Sequence, residues 1–206
     1  MTVPSPIRVE VPVCAFRPYA SREYQDTYPV PTPASVYGML LSLLGVPREA
    51  KALHRGAEMA LAVSALPGRA KVFRKLRRGK ELTDTRPDYQ DLLMGLTLWI
   101  WLRKGEDATN PPLAERVSVA LAHPGMITRF GGLSLGESSY LVDTVKIIND
   151  IKQPLIFLHQ DESGFYSLPV WVDYADAKNT ISRRFRLSEP MFVVKGLESA
   201  WCRIGG

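Results

Sequence analysis

Residues 27–47 read TYPVPTPASVYGMLLSLLGVP, and the rest of the chain is best understood outward from them. Pro29, Pro31 and Pro33 fix their own φ and push the residues before them into extended geometry, so the lead-in is stiff. Thr32 is a good helix cap and Pro33 a good first helical residue, since a missing N–H costs nothing there. Val36, Met39, Leu40, Leu43 and Leu44 follow at helical spacing and make one apolar face. Ala34, Gly38 and Ser42 make a second face of small residues, where another backbone can approach closely. Gly45 and Pro47 stop the helix.

On the N-terminal side, Ile7, Val9, Val11 and Val13 alternate with Arg8, Glu10, Pro12 and Cys14, which predicts a strand with one buried face. Pro12 removes a ladder donor and predicts an edge or a bulge nearby. Residues 16–26 read as a loop. On the C-terminal side, residues 48–55 predict another helical turn or two. Residues 58–66 alternate again and stop at Pro67-Gly68. Residues 96–102, LTLWIWL, are apolar on both faces and predict a central strand. Residues 104–110 read as a loop. Pro111 and Pro112 open a second helix with Leu113, Val117, Ala120 and Leu121 on one face, closed by His123-Pro124-Gly125. A further strand falls in 140–148 or in 126–130. Residues 154–159 and 165–172 read as a hairpin turning at 161–164, and Phe185, 191–194 and 201–204 suggest further strands. Strand, helix, strand, hairpin, strand, helix and strand in that order predict an α+β fold of ferredoxin-like type.

The chain has 206 residues, 46% of them apolar, which suits one domain with a small appendage. We place a main domain at 1–150 and a C-terminal β extension at 151–206. There are 26 Lys+Arg against 21 Asp+Glu, a net charge of +5. Cys14 and Cys202 are the only cysteines and the three histidines are scattered, so the sequence implies reduced thiols, no metal site and no cofactor. No apolar run reaches membrane-spanning length and the N-terminus lacks a signal-peptide pattern, so a cytoplasmic protein without a membrane partner is expected.

Charge is clustered in one place. Arg69, Lys71, Arg74, Lys75, Arg77, Arg78 and Lys80 fall within twelve residues that contain no acid. Gly79 supplies a turn, and an irregular basic hairpin is expected to project from the body over 69–93. Such a run suits a phosphate backbone, with Phe73 available to stack on a base, although a charged loop in solvent has the same composition. Arg183, Arg184 and Arg186 form a smaller cluster that also fits an exposed strand face. Residues 131–136, GGLSLG, match no phosphate-binding fingerprint. They read either as a turn needing positive φ or as a place where backbone approaches RNA, with Arg129 beside it and Ser134, Ser138 and Ser139 as hydroxyl donors. His159 with Asp161 and Glu162 is the nearest approach to an acid–base cluster. It falls at an expected hairpin tip, so catalysis is disfavoured.

Three stretches together carry a family resemblance: CAFRP at 14–18, TYPVPTPASVYGMLLSLLG at 27–45 and GGLSLGESSYLVD at 131–143. They resemble the fifth family of CRISPR-associated proteins, in its DevS-like branch. The resemblance implies a ferredoxin-like domain of the RNA-recognition type with a protruding hairpin thumb. It implies a non-catalytic subunit of a type I Cascade complex that holds the 5′ handle of the CRISPR RNA. Its implied partners are the CRISPR RNA, target DNA in the assembled complex, and the backbone and large subunits. Carried over by position, the thumb falls on 69–93, and the handle surface on Arg17, Tyr19, Ser35, Tyr37, Arg129, Gly131, Gly132, Ser134 and Ser138. Many relatives carry a basic residue after the last loop glycine, where this chain has Glu137. One branch of the family cuts precursor RNA. Its catalytic residues find no match here, and a metal-independent endoribonuclease is the alternative reading.

Overall fold

The computed structural model describes residues 4–18, 21, 24–77 and 85–205, with backbone alone at 24, 74–77, 85, 86 and 177. It is a mixed α+β structure built on a large, mostly antiparallel sheet. In chain order the elements are β1 (Ile7–Cys14), β2 (Tyr24–Gln25), α1 (Pro33–Leu43), a kinked 3-10 segment (Arg48–His54), β3 (Glu58–Val63), β4 (Gly68–Arg77), β5 (Thr85–Arg103) and α2 (Leu113–Ala122). There follow β6 (Thr144–Ile147), β7 (Ile156–Gln160), β8 (Tyr166–Trp171), β9 (Ile181–Leu187), α3 (Val193–Leu197) and β10 (Trp201–Arg203). The sheet order is β6-β1-β5-β3-β7-β9-β8, with β10 on β3 and both β2 and β4 on β5.

Alternation explains the two layers. One face of the sheet carries Ile7, Val9, Val11, Met59, Leu61, Val63, Leu96, Leu98 and Ile100, and these pack with Val36, Met39 and Leu40 of α1 and Leu113 and Val117 of α2. The other face carries Trp99 and Trp101 opposite Ala62 and Ala60, so two large rings stand against two small side chains. Phe157, Leu197 and Ala200 close over them, and the Trp101 and Phe157 rings stack at 5.6 Å. Residues 96–102 thus bury both faces, as their composition predicts.

Helix α1 forms as the sequence dictates. The Ser35 amide donates to Thr32 Oγ1 at 3.2 Å, Pro33 opens the first turn, and Gly45 leaves at φ 66°. Pro12 is tolerated because β6 pairs with β1 only from Ile7 to Glu10, leaving Pro12 beyond the last rung. Helix α2 begins at Leu113 behind the two prolines.

Several expectations are corrected. The hairpin over 69–93 and the strand at 96–102 are not separate, because β5 is one strand of 19 residues. Its first part pairs with β4 in a regular ten-rung ladder from Gly68↔Met94 to Arg77↔Thr85, and its second part pairs with β1 and β3. The strand after α2 lies within 140–148, whereas Pro124–Met126 is a 3-10 turn. Residues 154–159 and 165–172 do not pair with each other. β9 lies between β7 and β8, because an interior position needs donors on both sides and Pro169 of β8 lacks one. Residues 191–194 are not a strand either: Met191 makes one bridge to Leu155, and α3 follows. β7 pairs with two strands, Ile156 and Phe157 with β3 and residues 158–160 with β9.

A buried polar cluster fixes the loop between β5 and α2. Asp107 and His54 are fully buried, with Nδ1 of His54 2.8 Å from Asp107 Oδ2. Arg116 Nη1 donates to His54 Nε2 at 2.8 Å, which leaves Nδ1 as the protonated nitrogen. Asp107 also accepts from the Leu113 amide at 2.8 Å and from the amide and hydroxyl of Thr109. Desolvation opposes its charge, but the bonds from Leu113, Thr109 and His54 win and hold the carboxyl below its usual range. Both cysteines are buried free thiols, each pushed up to about 12 by burial. Among the described residues no helix is long and apolar enough to cross a membrane.

Two stability predictions follow from these contacts. A Cβ on Gly196 falls 2.1 Å from the buried Phe157 ring, so Gly196→Ala is expected to cost about 1–3 kcal/mol in urea unfolding despite its better helix propensity. Asp107→Asn is expected to cost about 2–3 kcal/mol at pH 7, because it weakens the acceptor shared by buried donors. The folded-state pKa is depressed, so this contribution is present above about pH 4 and is lost as pH falls through the folded value. The gap between the two proteins, measured by urea unfolding at pH 7 and at pH 3, should therefore narrow at acid pH.

Candidate nucleic-acid interface

Among the described residues no backbone packs closely on the small face of α1 at Gly38. A Cβ on Gly38 meets nothing within 4 Å, and Ser42 is exposed. That face is instead one wall of a groove of about 540 Å³. Ala34, Ser35, Gly38 and Ser42 line it from the helix, and Arg129, Phe130, Ser134, Gly136 and Ser138 from the glycine-rich loop. Arg48, Lys51 and Tyr174 complete it. Four residues expected at the interface, Ser35, Arg129, Ser134 and Ser138, are therefore gathered around one space.

The loop is held in place by its own chain. Arg129 donates to the Ser42 carbonyl at 3.1 Å, to Ser42 Oγ at 3.3 Å and to the Gly131 carbonyl at 2.8 Å. Its charge thus sits at the C-terminal end of α1, where a cation is favoured. Leu135 is fully buried, and Gly136, at φ 90°, passes so close to the residue after β1 that a Cβ would lie 2.3 Å from the Ala15 carbonyl oxygen. Gly131 has φ 76° and open space beside it, while Gly132 lies against Leu141. Glu137 accepts from Gln90 of β5 at 3.0 Å, which ties the loop to the sheet.

The third wall escaped the sequence reading. The 3-10 segment Arg48–His54 is pinned at one end by the His54–Asp107 pair and in its middle by Tyr37, whose hydroxyl donates to the Lys51 carbonyl at 2.7 Å. Arg48 lies 4.8 Å from the Tyr174 ring centroid. The Lys51 ammonium lies 4.4 Å from that ring and 4.7 Å from the Trp171 ring. It also donates to the Val172 carbonyl, across 121 positions of sequence. Burial pulls its pKa down to about 8, against the opposing pull of Asp173 and with a small push from Arg48. Two cations three residues apart after Pro47 were a weak signal, since nothing local links them to residues 171–174.

Tyr37 is corrected. Its ring is wholly buried, 6.1 Å from Trp171, so it serves the core and offers no face to a base. Arg17 is exposed, three residues beyond β1. Tyr19, Arg78 and Lys80 lie outside the described residues, as do the side chains of Arg74, Lys75 and Arg77. His159 is not at an exposed tip: it is 5% exposed within β7, and Asp161 pairs with Arg186 at 2.7 Å.

Along the β4–β5 ladder the cations are not unopposed. Lys71 stands across from Asp91, 3.7 Å away, and Arg69 reaches the same carboxylate at 3.2 Å. Phe73 stands across from Tyr89 with ring centroids 5.4 Å apart, and both rings are exposed. The described part of the ladder therefore presents a pair of rings beside a partly neutralised basic patch.

The comparisons agree with this architecture. The family model described as "CRISPR-associated protein (Cas_Cas5)" matches residues 7–187. A protein of Myxococcus xanthus (strain DK1622), "CRISPR-associated protein Cas5", is 33% identical over 194 residues, 89% of each chain. A chain from a solved "CRISPR RNA-guided surveillance complex" is similar at TM-score 0.66 and 14% identity, over 94% of this chain and 92% of that one. Another, "Crystal structure of Cas protein", gives TM-score 0.55 at 18% identity, over 91% and 94%. The structural likeness concerns the fold, and the sequence matches span nearly the whole of it. On those sequence matches, this chain belongs to the Cas5 family of CRISPR-associated proteins.

Proposed function

We propose that this protein is a non-catalytic subunit of a type I CRISPR Cascade complex that holds the 5′ handle of the CRISPR RNA in the groove between α1 and the glycine-rich loop. The observation that carries this reading is the groove itself, where hydroxyls of Ser35, Ser134 and Ser138 share one space with Arg48, Lys51 and Arg129. Hydroxyls and cations in a concave site suit phosphate and ribose oxygens. Family membership and the likeness to a chain of an RNA-guided surveillance complex support the assignment to Cascade. The β6-β1-β5-β3 order, with α1 and α2 on one face, supports the ferredoxin-like reading.

Sheets of the RNA-recognition type stack bases on aromatics of their open face. In this chain Trp99, Trp101 and Phe157 occupy that face but lie beneath α3 and Ala200. RNA contact is therefore assigned to the helix side and to the β4–β5 ladder, which we read as the thumb. In that role the ladder guards the junction of handle and guide, and the subunit caps the backbone filament beside the large subunit. The guide itself reads target DNA by base pairing.

A Cβ at Gly38 meets nothing within 4 Å, so Gly38→Leu places its side chain in the groove. Stability should hold or rise by about 0.5–1 kcal/mol, while retention of guide RNA by the assembled complex falls at least about tenfold. Unchanged retention sinks the groove assignment. Reversing Arg74, Lys75, Arg77 and Arg78 to Glu should weaken assembly on guide RNA and flatten its dependence on salt, and equal retention at every salt concentration removes the thumb from the interface. Specific cleavage of repeat RNA by the pure protein in EDTA would replace the non-catalytic reading with a nuclease.

A further inference from the structure

Lys51 is held in an unusual way for a surface lysine. Its ammonium is half-buried against the Trp171 and Tyr174 rings and spends one of its three donors on the Val172 carbonyl. Arg48 shares the Tyr174 ring, and Arg55 lies 5.3 Å from the Trp171 ring, so three cations crowd two aromatics. The carboxylate that favours the Lys51 charge is Asp173. That carboxylate already accepts from the amides of Ala175 and Asp176, at 2.8 and 3.2 Å, and from Asn179. From α1, Tyr37 reaches only the Lys51 backbone. This arrangement is poor in negative charge and opens on the groove.

We propose that Arg48 and Lys51 form a phosphate subsite of the groove, in which a phosphodiester of the bound RNA supplies the missing anion and, in mildly alkaline solution, draws a proton onto Lys51. This rests on the RNA-binding reading above and adds a residue pair and a proton to it. The free protein carries a Lys51 whose charge is disfavoured by burial, with a pKa of about 8. A phosphate oxygen beside the ammonium favours the charged form and moves the group back toward an ordinary lysine. The proton is drawn from solvent and no covalent bond changes. Asp173 stays ionised throughout, since its amide bonds hold it below the usual carboxylate range. Affinity should therefore fall as pH rises through neutrality, by about fourfold between pH 7 and 8.5, where the phosphodiester itself does not titrate.

The test is fluorescence anisotropy of the full chain with a labelled single-stranded RNA carrying the repeat-derived handle sequence, at pH 7, 7.75 and 8.5. The wild type should show the fourfold loss. Lys51→Arg should bind with a flat pH profile, because its charge is fixed. Lys51→Gln and Arg48→Gln should bind about tenfold more weakly at pH 7, each lowering the slope of log affinity against log salt by about 0.7. Melting curves of the variants show whether each remains folded. If Gly38→Leu abolishes binding while Lys51→Arg keeps the wild-type pH profile, or while Lys51→Gln binds as the wild type does, the subsite is wrong and the groove assignment stands. If the wild type does not bind, or Gly38→Leu binds equally well, both are overturned.

Discussion

Strand β5 is hydrogen-bonded over its 19 residues to β1, β2, β3 and β4. A strand of that length has no room to shift register, because a slip of one residue would turn Trp99 and Trp101 out of one core and Leu98 and Ile100 out of the other. Gly95, at φ 71°, stands where the strand passes from the β4 ladder to the body of the sheet. The two candidate RNA contacts, ladder and groove, are thus set on one continuous piece of backbone: β4 pairs with it directly, and the glycine-rich loop is tied to it through Glu137 and Gln90.

The buried Asp107 carboxylate performs the corresponding task at the other end of β5. It joins the first turn of α2 to His54, and His54 ends the segment that carries Arg48 and Lys51. A charge so deeply buried is tolerated only because several donors converge on it, and removing one partner costs more than the net value of any single bond. Groove cations on a short 3-10 turn would otherwise be loosely held. Here the turn is held at its His54 end by Asp107 and in its middle by the Tyr37 hydroxyl, and the proposed phosphate subsite inherits their rigidity.

Much of this was legible in the residues. The caps and periodicity of α1, the doubly buried LTLWIWL strand and the alternation in β1 and β3 are local patterns, and the structure follows them. The order of β7, β9 and β8 was misread although Pro169 carried the signal, because nearness in sequence was given more weight than the demand of an interior strand for donors on both sides. Tyr37 came to the handle surface only through the family resemblance, since an aromatic near a helix start has the same local pattern whether it faces a base or a core. The basic run looked unopposed because Asp91 lies twenty residues away along the chain but directly across the ladder from Lys71.

By itself the sequence determined α1, α2, the strands β1 and β3 and the doubly buried stretch at 96–102, the apolar faces of these elements, and the block of residues that marks the family. Those properties depend on neighbours within a turn or on alternate positions of a strand. The tertiary structure decided where the groove lies and which cations line it. Arg129 meets Ser42 across 87 positions, and Lys51 meets Val172 across 121. Contacts at that range arise only when the sheet has closed and brought α1, the glycine-rich loop and the end of β8 to the same side of it.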